Sequence, residues 1–308
     1  MSTTSRIPSD HGLTARMTFT MFLIGALYVG VMAILIASGI SAGFVIFIAV
    51  IMLFVQYWFS DKLALYGMHA REVTPQEAPQ LHAIVDKLCA QAEMPKPRVA
   101  IADTDIPNAF ATGRSPKHAV VCATSGIMRR LDADELEGVL GHELSHVAHR
   151  DVAVMTMASF LGVAAGLFTR MLFWSSLFGG GYSDDEDNNG AAGYIVIMLV
   201  SMLVYVLSFL LTRTLSRYRE LSADRSGAIL TGRPSALASA LQKITGDMSR
   251  IPTNDLRAAE PFNAFFFAPA LANGFSISSL FSTHPSLEKR LAQLSEIAVD
   301  LGQPAIPH

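Results

Sequence analysis

The stretch DADELEGVLGHELSHVAH, Asp132 to His149, decides how the polar part of this chain must fold. Asp132 is placed to cap a helix whose third residue is Glu135, a capping box in which a carboxylate replaces the usual hydroxyl. Leu136, Val139 and Leu140 then carry the apolar period of a helix into Gly141-His142-Glu143-Leu144-Ser145-His146. Residues four apart are turned by ~400° on a helix of 3.6 residues per turn, so His142 and His146 project from one face, one turn apart. Both imidazoles can reach one ion. Glu143 lies ~100° round from His142, beside that ion rather than on it. There its carboxylate can take a proton from water activated at a metal and later deliver it to a leaving amine.

A zinc site of this kind needs three protein ligands and keeps its fourth position open. His149 is on the same face but ~10.5 Å along the axis from His142, too far to share the ion, and suits the helix end better. Arg219-Glu220-Leu221-Ser222-Ala223-Asp224 offers a stronger partner. Glu-x-x-x-Asp on a second helix sends both carboxylates to one face, so Glu220 can bind the metal while Asp224 accepts a hydrogen bond from a ligating imidazole. By itself that pattern is also an ordinary solvated helix face; its pairing with the upstream motif gives it meaning.

Around these motifs the composition is far from that of a soluble protein. Hydrophobic residues make up 51% of the 308 and charged ones 16%. The excess falls in four runs, about Met17 to Ala37, Ala42 to Phe59, Val152 to Phe168 and Ala191 to Leu211, each of 17 or more mostly apolar residues. At ~1.5 Å per residue each can cross ~30 Å of hydrocarbon as a helix. The expectation is four transmembrane helices in two hairpins. Arg6 and Arg16 precede the first run, Lys62 follows the second, Arg150 precedes the third, and Arg213, Arg217 and Arg219 follow the fourth. The opposite connections, Ser38 to Ser41 and Ser175 to Gly190, contain no Lys or Arg. Positive charge retained in the cytoplasm therefore puts both termini and the polar sequence inside; Arg170 is the one misfit. Tyr57-Trp58-Phe59 and Phe173-Trp174 fall where interfacial aromatics belong.

The expected organisation is a cytoplasmic tail (1–16), a first hairpin (17–60), a catalytic segment (61–151), a second hairpin (152–211) and a second catalytic segment (212–308). Each polar segment is too short for a complete core, so the two fold together. The first reads as a helix over Pro79 to Glu93, ended by Pro95 and Pro97, then strands Val99 to Ala102, Ala109 to Thr112 and His118 to Ala123 in a small sheet. The second reads as a polar continuation of the fourth run over Arg213 to Ala228, helix Ala236 to Thr245, an irregular stretch over 246–282 and a last helix after Pro285. The fold class is α+β, mostly helical and integral to a membrane.

Several alternatives are excluded. A net charge of -3 gives no electrostatic case for nucleic acid. Cys89 and Cys122 are too few and too far apart for a thiolate site, and read as reduced structural thiols. Asp185-x-Asp187-x-Asn189-Gly190 copies the start of a calcium loop but has Val196 where a bidentate Glu is required. No organic cofactor motif is present.

Pro107-Asn108-Ala109-Phe110-Ala111-Thr112-Gly113, then the His142 to His146 motif, then Arg219 to Asp224, then Thr283-His284-Pro285 with a Leu-x-Lys-Arg stretch after it, resemble the heat-shock membrane protease family HtpX. That family is related to the eukaryotic prenyl-protein processing protease and belongs to the gluzincin metallopeptidases. The resemblance runs from about residue 61 to residue 295. It implies a zincin-like catalytic domain with one Zn2+ held by His142, His146 and Glu220, Glu143 as general base, and Asp224 as partner of His142. It also implies a sheet edge along the Asn108 to Thr112 strand, with Asn108, Ala109 and Phe110 as substrate-binding residues, to which an extended peptide adds, and a role near the metal for His284, either on the oxyanion or in the open metal position. Alone, His284 would read as a turn residue before Pro285.

The expected function is zinc-dependent cleavage of unfolded, misfolded or damaged membrane proteins at the cytoplasmic face of a bacterial inner membrane, with the quality-control role resting on the resemblance. The rivals are a site-specific processing protease for a membrane or lipidated substrate, and a non-catalytic membrane scaffold, which would have no need of Glu143.

Overall fold

The computed structural model describes residues 11–37, 60–151, 189–248 and 284–307, with single positions between 43 and 58 and between 154 and 158. Most of the expected run Val152 to Phe168, the connections 38–41 and 175–188 with the first residues of the rejected calcium loop, and nearly all of the irregular stretch 246–282 lie outside the described residues.

Helix α1, His11–Ala37, is followed by α2, Ser60–Gly67, and strand β1, Ala70–Glu72. Helix α3 spans Pro79–Ala92 with proline at its first turn, where a missing N–H costs nothing, and ends in a left-handed Glu93. Strands β2, Arg98–Ala102, β3, Ala109–Thr112, and β4, Val120–Thr124, then alternate with tight turns. Helix α4, Ser125–Arg130, leads to α5, Ala133–Ala148, which carries the His-Glu-x-x-His motif. The capping box at its start is formed: Asp132 accepts from the Glu135 amide at 2.9 Å and Glu135 accepts from the Asp132 amide at 3.1 Å. Helices α6, Asn189–Thr231, α7, Pro234–Met248, and α8, Leu287–Asp300, complete the described chain.

The sheet has the order β1-β2-β4-β3, with β2 and β4 parallel and both outer pairs antiparallel. Every residue of β4 is buried, as a central strand covered on both faces requires. One face, through Val99, Ala109, Val121 and Ala123, joins the main core with Leu88 of α3, Leu140 and Leu144 of α5, Leu241 of α7 and Leu294 of α8. The other face forms a small second core of Ala100, Ala102, Phe110, Val120 and Cys122 under Leu65 and Met68. Polar sequence from both sides of the gap in the chain thus shares one core. Strand β1 was not expected; its three residues are half-exposed or exposed and give no alternation to read.

Helix α6 is one rod of 43 residues. At ~1.5 Å per residue that is about twice the ~30 Å of a bilayer's hydrocarbon. Its apolar half runs on unbroken into the polar half that carries Arg213 to Asp224. Two described helices are long and apolar enough to cross a membrane, α1 through Thr14–Val31 and α6 from Leu199 onward. They pack on each other, with Ile24 and Leu215 buried in a cluster that includes Ala158. The two other expected spans fall largely outside the described residues.

Candidate metal centre

Helices α5 and α6 cross at two glycines. A Cβ built on Gly227 would lie 2.7 Å from the His142 amide nitrogen and 2.9 Å from its Cα, and one on Gly141 would meet the Thr231 methyl at 3.0 Å. At Gly227 only hydrogen fits, so the α6 backbone lies directly against the backbone of the first motif histidine. Glu220 and Asp224, two turns and one turn before Gly227, are delivered to the same face of α5.

The result is a compact donor set. His142 Nε2 and His146 Nε2 are 3.2 Å apart, His142 Nε2 is 3.5 Å from Glu220 Oε2, and His146 Nε2 is 3.4 Å from Glu220 Oε1. Ligand bonds of ~2.0–2.2 Å at tetrahedral angles set neighbouring ligand atoms roughly 3.3–3.6 Å apart, so these separations fit one zinc ion. Two imidazoles and a carboxylate are also a donor set that zinc accepts. Among the described residues this is the group of histidine and acid side chains close enough to share a cation.

Both imidazoles are held from behind. His142 Nδ1 is 2.9 Å from Asp224 Oδ1, and His146 Nδ1 is 2.6 Å from Asp151 Oδ2. Each aspartate is in turn held by a buried arginine. Arg290 grips Asp224 through Nε at 2.7 Å and through a terminal nitrogen at 2.6 Å, and Arg219 pairs with Asp151. A carboxylate on the far nitrogen fixes tautomer and ring plane and leaves Nε2 facing the cation position. Burial works against protonating His142, yet Asp224 and Glu220 outweigh it and raise its pKa above the ordinary histidine value; His146 is raised likewise, chiefly by Glu220. A pocket that draws a positive charge onto its imidazoles is one in which a divalent cation displaces protons.

Glu143 is buried beside this set, and one of its oxygens accepts a hydrogen bond from the Ala111 amide of β3 at 2.9 Å. Burial pushes its carboxyl above the ordinary range, against the pull of His142 and His146. That is the direction a proton acceptor needs to work near neutrality.

The bond to Ala111 also reports the orientation of the sheet edge. Asn108 is fully buried; its amide donates to Thr124 Oγ1 and its carbonyl accepts from the Thr124 amide, both at 2.9 Å. Hydrogen-bonded and outward pairs alternate in an antiparallel ladder, so Phe110 also turns its backbone to β4 while Ala109 and Ala111 turn theirs outward. Of the residues expected on the peptide-binding edge, Ala109 and Ala111 turn their backbone away from β4; Ala109 is buried, and the Ala111 amide is engaged by Glu143. His284 is buried with Nδ1 2.9 Å from Glu220 Oε2, against the carboxylate of the donor set. His149 closes α5 as its C-cap residue and is exposed.

Sequence reasoning missed Asp151, Gly227 and the burial of Arg219. Arg219 read as a charge at a membrane boundary, yet it is 5% exposed and paired. The available signals were an aspartate one turn past His146 at the start of an apolar run, and a glycine continuing the Glu220–Asp224 face.

A motif helix crossed by a glutamate-bearing helix and flanked by a sheet edge is the architecture of a metallopeptidase. The profile of peptidase family M48 matches residues 75–298, and the chain belongs to that family. It is 57% identical to "Protease HtpX homolog 1" of Streptomyces coelicolor, over 98% of each chain. It is 55% identical to "Protease HtpX homolog" of Moorella thermoacetica, over 96% of this chain and 98% of that one. The crystal structure of S. mikatae Ste24p matches with a TM-score of 0.54 at 17% identity, over 90% of this chain. The chain spans 64% of the length of that structure, and the likeness is one of fold. The protein is a membrane metalloprotease of the M48 family.

Proposed function

We propose that this protein is a zinc-dependent endopeptidase that cuts misfolded or damaged membrane proteins at the cytoplasmic face of a bacterial inner membrane. The observation that carries the reading is the set of 3.2, 3.4 and 3.5 Å separations among His142, His146 and Glu220, the edges of a zinc tetrahedron with one vertex left over. One zinc ion per chain, when bound, supplies Lewis acidity toward water and the scissile carbonyl. Glu143 takes the proton from the attacking water and passes it to the departing amine. An extended substrate segment pairs with the outward backbone of Ala109 and Ala111, and its arrival takes the Ala111 amide from Glu143. His284 and Asp224 act through their neighbours, His284 by orienting Glu220 and Asp224 by orienting His142. The basic residues at the ends of the apolar runs support the cytoplasmic orientation.

The test is cleavage of an unfolded substrate by detergent-purified wild-type and Glu143→Gln protein, with zinc measured in both. Loss of cleavage by ~10²–10⁴ with zinc retained is expected for removal of the base. Equal activity in the two would refute it.

A further inference from the structure

The C-terminal end of the second apolar run is clamped to the turn that follows the peptide-binding edge. Tyr57 donates from its hydroxyl to the Arg114 carbonyl at 2.5 Å, and the Arg114 guanidinium lies 4.2 Å from the centre of the Trp58 ring. Trp58 in turn stacks on Phe54, centroids 5.2 Å apart. Phe47, Val50, Ile51, Phe54 and Trp58 recur at helical spacing and are 43–61% exposed, an apolar stripe that nothing in the described chain covers. The turn itself is tight: Gly113 has φ +131, and a Cβ there would lie 2.5 Å from the His118 carbonyl oxygen. It holds Arg114 and the exposed Lys117 close together, and no Asp or Glu occurs between Asp105 and Asp132.

A stripe of exposed apolar side chains ending in a tryptophan marks where hydrocarbon gives way to headgroups. Arg114, lying flat on that tryptophan, is then at headgroup depth, where its fork matches a phosphate and its charge is attracted to an anionic surface. We propose that the turn Gly113 to His118 is a binding site for anionic phospholipid headgroups, with Arg114 on its Trp58 platform and Lys117 as the phosphate-contacting groups. The site seats the C-terminal end of β3 on the bilayer surface, so that a chain emerging from the membrane meets Ala109 and Ala111 first. The lipid contact rests on the reading of residues 42–59 as membrane-inserted, and on neither zinc nor turnover.

The test uses the full chain with Trp174→Phe, which leaves Trp58 as its one tryptophan, in phosphatidylcholine nanodiscs doped with either brominated phosphatidylglycerol or brominated phosphatidylcholine. Quenching of Trp58 by each lipid gives the local enrichment of the anionic one. Enrichment is expected, falling about fivefold in Lys117→Gln and again in Arg114→Gln, the equivalent of ~1 kcal/mol for each basic residue at an anionic surface. Lys117 is exposed, so its variant keeps the test valid if the Arg114 variant folds poorly. Equal quenching by both lipids would overturn the headgroup site while leaving the membrane placement standing. Absence of quenching by either would overturn both.

Discussion

Gly227→Ala tests how the centre is assembled. The added methyl carbon would stand 2.7 Å from the His142 nitrogen, 2.9 Å from its Cα and 3.0 Å from the Gly141 carbonyl carbon. All three are backbone atoms of α5, so no side-chain rotation relieves the clash. Ordinary carbon contacts lie at ~3.5–4.0 Å, so α5 and α6 must part by about 1 Å at this crossing. Glu220 rides on α6 two turns away, and its oxygens sit 3.4–3.5 Å from the two imidazoles; a shift of that size takes them outside the reach of a shared ion. Overpacking of this kind costs ~1–3 kcal/mol, against which alanine's better helix propensity returns up to ~1 kcal/mol. The expected outcome is a small loss of thermal stability, followed by circular dichroism in detergent. Alongside it, zinc affinity measured by chelator competition falls ~10–100-fold, the range found when support for a metal ligand is lost. Gly246→Ala on α7, where a Cβ meets nothing within 4 Å, is the control and should bind zinc as wild type does. If Gly227→Ala binds zinc with wild-type affinity, the close crossing is not what sets the donor geometry.

Three further outcomes are expected. Asp151→Asn should weaken zinc binding ~10–100-fold through His146, in a protein whose helical signal is kept, and Asp151→Glu should recover part of it; chelator competition on both variants reads this. Arg290→Lys, which replaces a two-pronged grip on Asp224 with a point charge, should raise the zinc dissociation constant while Lys289→Ala on the exposed side of α8 does not. Burial pushes the Cys89 and Cys122 thiols up to about 11 and about 12, so both should resist a thiol reagent at mildly alkaline pH until the protein unfolds. Because the folded values lie above the ordinary ~8.5, the unfolded chain loses its protons first, and stability from these two groups should fall as pH rises through that range.

The sequence by itself determined what is local and periodic. A four-residue spacing on a capped helix placed His142 and His146 on one face, and the same spacing paired Glu220 with Asp224, because helix geometry fixes those angles wherever the helix goes. β-prone runs set between turn-forming residues located β2, β3 and β4 to within a residue or two, and hydrophobic length marked α1 and the apolar half of α6 as membrane-compatible. Neither spacing nor propensity says how two helices far apart in the chain meet. Only tertiary structure decided that α6 crosses α5 at Gly227, that Asp151 folds back onto His146, and that Arg219 and Arg290 are buried against aspartates instead of facing solvent or lipid. Such contacts depend on close packing and on the pairing of buried charge, which are properties of the assembled core and leave no period in the chain.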